Sequence, residues 1–128
     1  MAGNINFDDS DFEKKMQILA QKAEEAQSRA SQDIGEELMR LSGFVVPHKK
    51  GLLQASGSVQ PTYEENGKYI TIVGYNKVYA ARLHEHPEYH FTQSGPGTRG
   101  AKYLENPMKN NLANFQKYYL QSIQQMLV

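Results

Sequence analysis

Residues 12–41 read FEKKMQILAQKAEEAQSRASQDIGEELMRL, and this stretch decides the fold. Apolar side chains recur in it at steps of three or four residues, which is the spacing of one face of an α-helix. The side chains on that face are Phe12, Met16, Leu19, Ala23, Ala26, Ala30, Ile34, Leu38 and Leu41. Asp9-Ser10-Asp11 can cap a helix N-terminus, and Gly43 is a residue type that often follows a helix. The pattern predicts one long helix over residues 10–42.

The length of this predicted helix has a consequence for packing. Some 32 residues span roughly 48 Å, whereas a compact domain of this size has a diameter of about 36 Å. We therefore expect the helix to overhang its own core. Its middle stripe of Ala23, Ala26 and Ala30 suits close packing against a neighbouring subunit. The alternative is a break near Gly35, which marks either a bend or a close contact, so that the chain folds back.

After Pro47 the apolar pattern changes to a period of two, which is typical of strands. Residues 53–60 and 69–75 are predicted strands, joined across Glu64-Glu65-Asn66-Gly67, and Asn-Gly is a strong hairpin signal. Residues 78–86 fit either a strand or a short helix, and their spacing favours a helical turn. The antiparallel sheet should have about three to four strands.

The last third of the chain combines a long loop with a helix. Residues 87–100 are rich in turn formers and show no periodicity, and loops of this length are usually functional or disordered. Asn106-Pro107 provides a helix cap followed by proline at the first helical position. The apolar face of residues 107–127 then predicts a C-terminal helix.

Together these elements predict a single α+β domain over residues 1–128. It would have a flexible start at 1–9, the long helix at 10–42, the sheet region at 52–105 with its loop at 87–100, and the closing helix at 107–127. The chain has no cysteine, which removes disulfides and thiolate metal sites. No export signal and no apolar run long enough for a membrane span is evident, so we expect a soluble intracellular protein without a membrane partner.

The charges cancel over the whole chain but are unevenly placed. Residues 1–42 hold nine acidic and five basic side chains, a net charge of −4, and residues 43–128 hold five acidic and nine basic ones, a net charge of +4. A bipolar subunit can stack head-to-tail on copies of itself, although an acidic solvated helix beside an ordinary sheet would give the same pattern. Overall neutrality argues against tight binding to the phosphate backbone of nucleic acids.

The stretch His84-Glu85-His86-Pro87-Glu88-Tyr89-His90 is the main candidate for chemistry. His84, His86 and His90 with a nearby acid could form a metal site, which would make the chain a small metal-dependent hydrolase. Pro87 interrupts the stretch, however, and solvated or interface histidines explain it more simply. We therefore predict no catalytic, cofactor-binding or metal-binding residues, and a protein that is not an enzyme.

A second alternative is a small DNA-binding accessory protein. Lys49 and Lys50 form a short basic cluster, and Arg99 and Lys102 bracket the end of the loop at 87–100. Arg99 and Lys102 are candidate contacts to passing DNA, or else ordinary solvated charges. The glycine-rich segment at 95–100 lacks the Gly-Lys-Ser/Thr ending of a phosphate-binding loop.

Three short motifs in this order resemble the small minor capsid, tail-completion or head–tail joining proteins in the neck of tailed bacteriophages. The matching positions are Val46, Pro47, Gly51, Leu52 and Ser56, then Tyr79, Ala80, Leu83 and Glu85, and finally Leu104 and Pro107. The resemblance covers residues 45–107, and the flanking helices agree with it by position only. Where related sequences often carry Gly-Thr after the glutamate, this chain has His86-Pro87.

The resemblance implies a structural virion protein that forms a ring of six or twelve copies around the DNA passage, with no cofactor. Its partners would be itself, the head connector or stopper protein, and the tail terminator or tail tube protein. Genomic DNA would pass through without sequence-specific contact, and assembly would take place in the host cytoplasm. A tail terminator ring is the alternative within the same class. The candidate interface residues are Pro47, Gly51, Tyr79, Leu83, His84, Glu85, His90 and Phe91.

Overall fold

The computed structural model describes residues 9–48, 51–91, 93, 95 and 97–126. Their elements are α1 (Asp9–Val45), α2 (Leu52–Ala55), β1 (Gly57–Val59), β2 (Tyr63–Glu65), β3 (Lys68–Ile70), β4 (Val73–Tyr75), α3 (Ala80–Glu85), α4 (Glu105–Asn110) and α5 (Leu112–Met126). The predicted α+β class is confirmed, with a long N-terminal helix, a small antiparallel sheet and a C-terminal helix. The flexible start predicted for residues 1–9 lies outside the described residues, except for Asp9, where α1 begins.

Helix α1 is continuous over 37 residues. The predicted alternative of a break near Gly35 is therefore wrong, and so is an end at Gly43. Gly35 marks a close contact, because a Cβ atom there would lie 2.6 Å from the Thr71 methyl group. The helix ends at Val45 because proline at position 47 disfavours the helical conformation of the residue before it.

The four strands form one long hairpin that is interrupted midway. β2 and β3 pair across Asn66-Gly67, whose φ angles of 53° and 78° are those of a tight hairpin turn. β1 pairs with β4, also antiparallel, and the two ladders are separated by residues 60–62 and 71–72. The predicted first strand starts too early, because residues 52–55 form the helical turn α2. The helical turn predicted within residues 78–86 is confirmed as α3.

The hairpin lies along the C-terminal half of α1. A hydrogen bond of 2.7 Å joins the hydroxyls of Ser31 and Thr71, and another of 2.7 Å joins those of Ser42 and Tyr75. The backbone amide of Thr62 donates to the Gln32 side chain. Side chains of α1 therefore bind the interruption of the hairpin and strand β4.

The predicted C-terminal helix is present as two helices. α4 begins at Glu105 after the cap residue Leu104, so Asn106 is not the cap, and Asn111 separates α4 from α5. Pro107 lies in the first turn of α4, where its missing amide proton is not needed. α5 packs antiparallel on α1, and its Tyr118 hydroxyl donates to Asp33 at 2.6 Å.

The hydrophobic core lies at the C-terminal end of α1. Val46, Leu53, Ala80 and Tyr103 are buried together. At the other end of α1, residues 10–22 are all exposed, and we call this segment the arm. The expected overhang is therefore present, but its large apolar residues, not the alanines, make up the overhanging part. Ala30 is buried within the chain, and Ala26 and Ala30 line the α1–α5 groove.

None of the helices in the described part of the chain combines the length and the apolar character needed to cross a lipid bilayer.

Candidate functional site

The arm presents an exposed apolar stripe to solvent. Met16 is 48% exposed and Leu19 is 38% exposed, and Phe12 extends the same stripe toward the N-terminus. Large apolar side chains at this spacing are what an amphipathic helix uses to bind a groove or another helix. Met16 and Leu19 thus remain exposed in the described part of the chain.

A groove away from the arm is also lined by apolar side chains and open to solvent. It has a volume of about 460 Å³ and lies between α1 and the two C-terminal helices. Its lining residues are Ile34, Met108, Leu112, Phe115, Gln116, Tyr119 and Leu120. Leu112 is 44% exposed and Leu120 is 60% exposed, so the groove opens onto solvent.

A second groove of about 610 Å³ continues from the first. The two share Met108, and Leu38, which lines the second, lies one helical turn after Ile34 on α1. Buried Tyr103 lies in its wall, and the hydroxyl of Tyr103 donates to the Ala80 carbonyl. Burial raises the pKa of Tyr103 to about 12, so this phenol stays protonated and keeps its hydrogen bond at neutral pH.

His84 joins α3 to the start of α4. Its Nδ1 atom lies 2.8 Å from a Glu85 oxygen, and its Nε2 atom accepts a bond of 3.4 Å from the backbone amide of Glu105. Because Nε2 is the acceptor, Nδ1 carries the proton and donates to Glu85. The ring also packs edge-on against Tyr103, with 4.9 Å between centroids. Both ring nitrogens are therefore used inside the subunit.

Glu85 and Lys102 form the charged edge of the same corner. Lys102 binds Glu85 directly and lies 3.6 Å from Glu105. The hydrogen bond from Lys102 lowers the pKa of Glu85, and the one from His84 adds to this effect. The hydrogen bond to Glu85 in turn raises the pKa of Lys102. The charge of Lys102, one of the two candidate DNA contacts, is thus balanced by carboxylates of its own chain.

Arg99, the other candidate DNA contact, is only 6% exposed. Its guanidinium donates to the carbonyl oxygens of Gly43 at 3.1 Å and Val46 at 2.7 Å. The first carbonyl belongs to the last turn of α1 and the second directly follows that helix, where helical partners run out. The buried Arg99 side chain therefore holds the loop onto the end of α1, and its contact with DNA stays a prediction that this burial does not favour.

The three histidines are not gathered into one site. His86 binds Glu88 at 2.6 Å and stacks on Tyr89, and His90 is exposed. Within the described ranges, no group of three or more histidine or acidic side chains is placed to hold a metal ion. The geometry therefore gives the hydrolase alternative no support. Lys49 and Lys50, on which the DNA-binding alternative depended, lie outside the described residues.

The remaining candidate interface residues have varied surroundings. Tyr79 and Leu83 pack against the core of their own chain, and Gly51 has a φ of 76° at the start of α2. Pro47 and Phe91 are half-buried. Their part in an interface stays a prediction.

Sequence reasoning missed two features. One is the role of Arg99. The related signal in the sequence is Gly97, because a Cβ atom added at this position would lie only 3.3 Å from Val45. The other is the open groove, whose residues look in sequence like an ordinary buried helix face.

Comparison of the chain with known protein families, with curated protein sequences and with solved structures finds no match in any of the three.

Proposed function

We propose that this chain is a structural subunit that assembles with copies of itself into a ring, and that this ring belongs to the neck of a tailed bacteriophage, between head connector and tail. The observation that carries the proposal is the arm. A helix that extends past its own core with Met16 and Leu19 exposed is poorly suited to a monomer and well suited to a subunit.

The sequence resemblance supplies the finer part of the proposal. Around the motif positions, α1 ends before Pro47 and Gly51 makes the turn into α2, whereas Ser56 caps the end of α2 and does not lie in a strand. In the proposed ring, genomic DNA passes through the centre without sequence-specific contact. The ring would prevent leakage from the DNA passage and would bind its neighbours through complementary surfaces. The subunit would therefore need no catalytic group.

Two measurements test the two levels of this proposal. Light scattering on the purified chain should give one discrete multimer, with six or twelve copies as the expected sizes. A gold-labelled antibody against the chain should mark the neck of phage particles from the genome that encodes it. Particles that lack the chain, or carry it elsewhere, would contradict the neck assignment, and label at the end of the tail tube would favour a tail terminator ring.

A further inference from the structure

We propose that the arm of one copy docks into the α1–α4–α5 groove of the next copy, so that subunits join head-to-tail. The inference rests on the proposed function as a homo-oligomer and names the two surfaces that would form its interface. One surface is the stripe that includes Met16 and Leu19. The other is the groove defined above by Ile34, Met108, Leu112, Phe115, Gln116, Tyr119 and Leu120.

The arm and the groove cannot meet within one chain. Ile34 lies 18 residues after Met16 on the same continuous helix. At 1.5 Å per residue, the two side chains are separated by about 27 Å along the helix axis. The groove of a given chain must therefore receive the arm of another copy.

The dimensions of the two surfaces agree. The arm of 13 residues is about 20 Å long, and the α5 part of the groove wall from Leu112 to Leu120 is roughly 12 Å long, with Met108 of α4 extending the wall beyond Asn111. Phe12, Met16 and Leu19 follow the i, i+4, i+7 spacing by which amphipathic helices place their anchors in grooves. One arm thus covers the length of one groove.

The chemistry of the two surfaces also agrees. The groove is lined almost entirely by apolar side chains, with the Gln116 amide and the Tyr119 hydroxyl as polar groups, and that hydroxyl already donates to Gln27. The arm itself has two acidic and three basic side chains and the groove lining has no charged one, so the proposed contact depends on apolar burial and not on charge.

This contact is heterologous, since it joins two different patches of identical subunits. A heterologous contact closes into a ring when the rotation between neighbours allows it, whereas pairing of two arms would stop at a dimer and leave both grooves open. The head-to-tail geometry is the one that matches the proposed ring.

A mixing experiment with two full-length variants tests the inference. Met16→Glu/Leu19→Glu disables the arm and keeps the groove, and Leu112→Glu/Leu120→Glu does the reverse. Each variant alone should lose at least about 100-fold in association constant, because two apolar side chains per contact are no longer buried. Mixed at equal concentration, they should form a 1:1 dimer that grows no further, since one good arm then meets one good groove.

Matched controls separate this effect from general damage. Ile18→Glu changes an equally exposed apolar residue that lies about 120° from the stripe, at 100° per residue, and should assemble like the unmodified chain. Val78→Glu, at a fully exposed loop position, is the control for the groove variant. Circular dichroism of every variant should show the unmodified helix content.

Disulfide trapping gives an independent readout, because the chain has no native cysteine. Leu19→Cys with Leu112→Cys should cross-link between copies on mild oxidation, and Ile18→Cys with Leu112→Cys should not.

The inference is overturned if the groove variant still assembles, if the mixture stays monomeric with both partners folded, or if the Leu19 pair fails to cross-link in solution and in particles. If the Leu19 pair fails to cross-link in particles that carry the chain at their neck, the arm–groove contact is excluded, whereas the neck assignment is unaffected.

Discussion

The two ends of α1 follow the same apolar period and have opposite surroundings. From Ala30 to Val46 the chain places Ala30, Gly35, Ser42 and Val46 in buried positions, against the hairpin, α5 and the core. From residue 10 to residue 22 every side chain is exposed, including Met16 and Leu19. Periodicity therefore identifies a face that can be buried, and the elements opposite that face decide whether it is buried within the subunit.

Residue size follows the same division. Small residues occupy the positions where the hairpin and α5 approach α1 closely, and Gly35 is the extreme case. Large apolar residues occupy the arm, where every side chain is exposed. If the arm is built for a second copy, changes in the buried half should affect folding and changes in the arm should affect association only.

The largest expected effect on folding is at the C-terminal end of α1. Arg99→Met should lower the free energy of unfolding by about 2–3 kcal/mol, because charged hydrogen bonds to the part-buried Gly43 carbonyl and the buried Val46 carbonyl are lost. Urea unfolding followed by circular dichroism measures this. Arg82→Met is the control, since Arg82 is exposed and its replacement should change stability by less than about 0.5 kcal/mol. Equal effects at both positions would contradict the assigned role of Arg99.

A smaller effect is expected in the middle of α1. Gly35→Ala should lower stability by about 1–2 kcal/mol, because overpacking outweighs the helix preference of alanine. The Thr71 methyl group that would be contacted cannot turn away cheaply, since the Thr71 hydroxyl is hydrogen-bonded to Ser31 and Thr62.

A second substitution identifies the cause. Thr71→Ser removes the methyl group and keeps the hydroxyl, so Gly35→Ala/Thr71→Ser should recover most of the loss relative to Thr71→Ser alone. Gly74→Ala, where an added Cβ meets no atom within 4 Å, is the control. A stabilising effect of Gly35→Ala would show that the hairpin shifts to accommodate the new methyl group.

Local signals predicted much of this fold. The stripe from residue 12 to residue 41 and the turn at Asn66-Gly67 predicted α1 and the hairpin, because both depend on short-range backbone geometry. The end of α1 was misplaced at Gly43 because glycine tolerates a helical conformation when tertiary contacts favour it. Alternation places Leu53 in a strand, although leucine favours helices equally well.

The candidate surfaces were harder to predict. The length of the predicted helix alone indicated that α1 would extend past its core. The groove, in contrast, depends on how α5 lies across α1, and no local sequence signal encodes that placement. Arg99 looked like a solvent-exposed loop charge because its partners, Gly43 and Val46, are more than fifty residues earlier in the chain. Long-range polar contacts of this kind are set by the completed fold.

The smallest expected effect on folding is in the arm. Met16→Ala/Leu19→Ala should change the free energy of unfolding by less than about 0.5 kcal/mol in dilute solution, where copies are separate, because neither side chain is buried in the subunit. Val46→Ala, at a fully buried position, should cost roughly 2 kcal/mol under the same conditions.

Protein concentration then distinguishes the two halves of α1. Assembly stabilises the folded state by mass action, so the melting temperature of the unmodified chain should rise with concentration. The melting temperature of the arm variant should stay constant, whereas that of Val46→Ala should start lower and still rise. A concentration dependence that survives in the arm variant would mean that copies associate through another surface, and the contrast between the two halves of α1 would then describe folding alone.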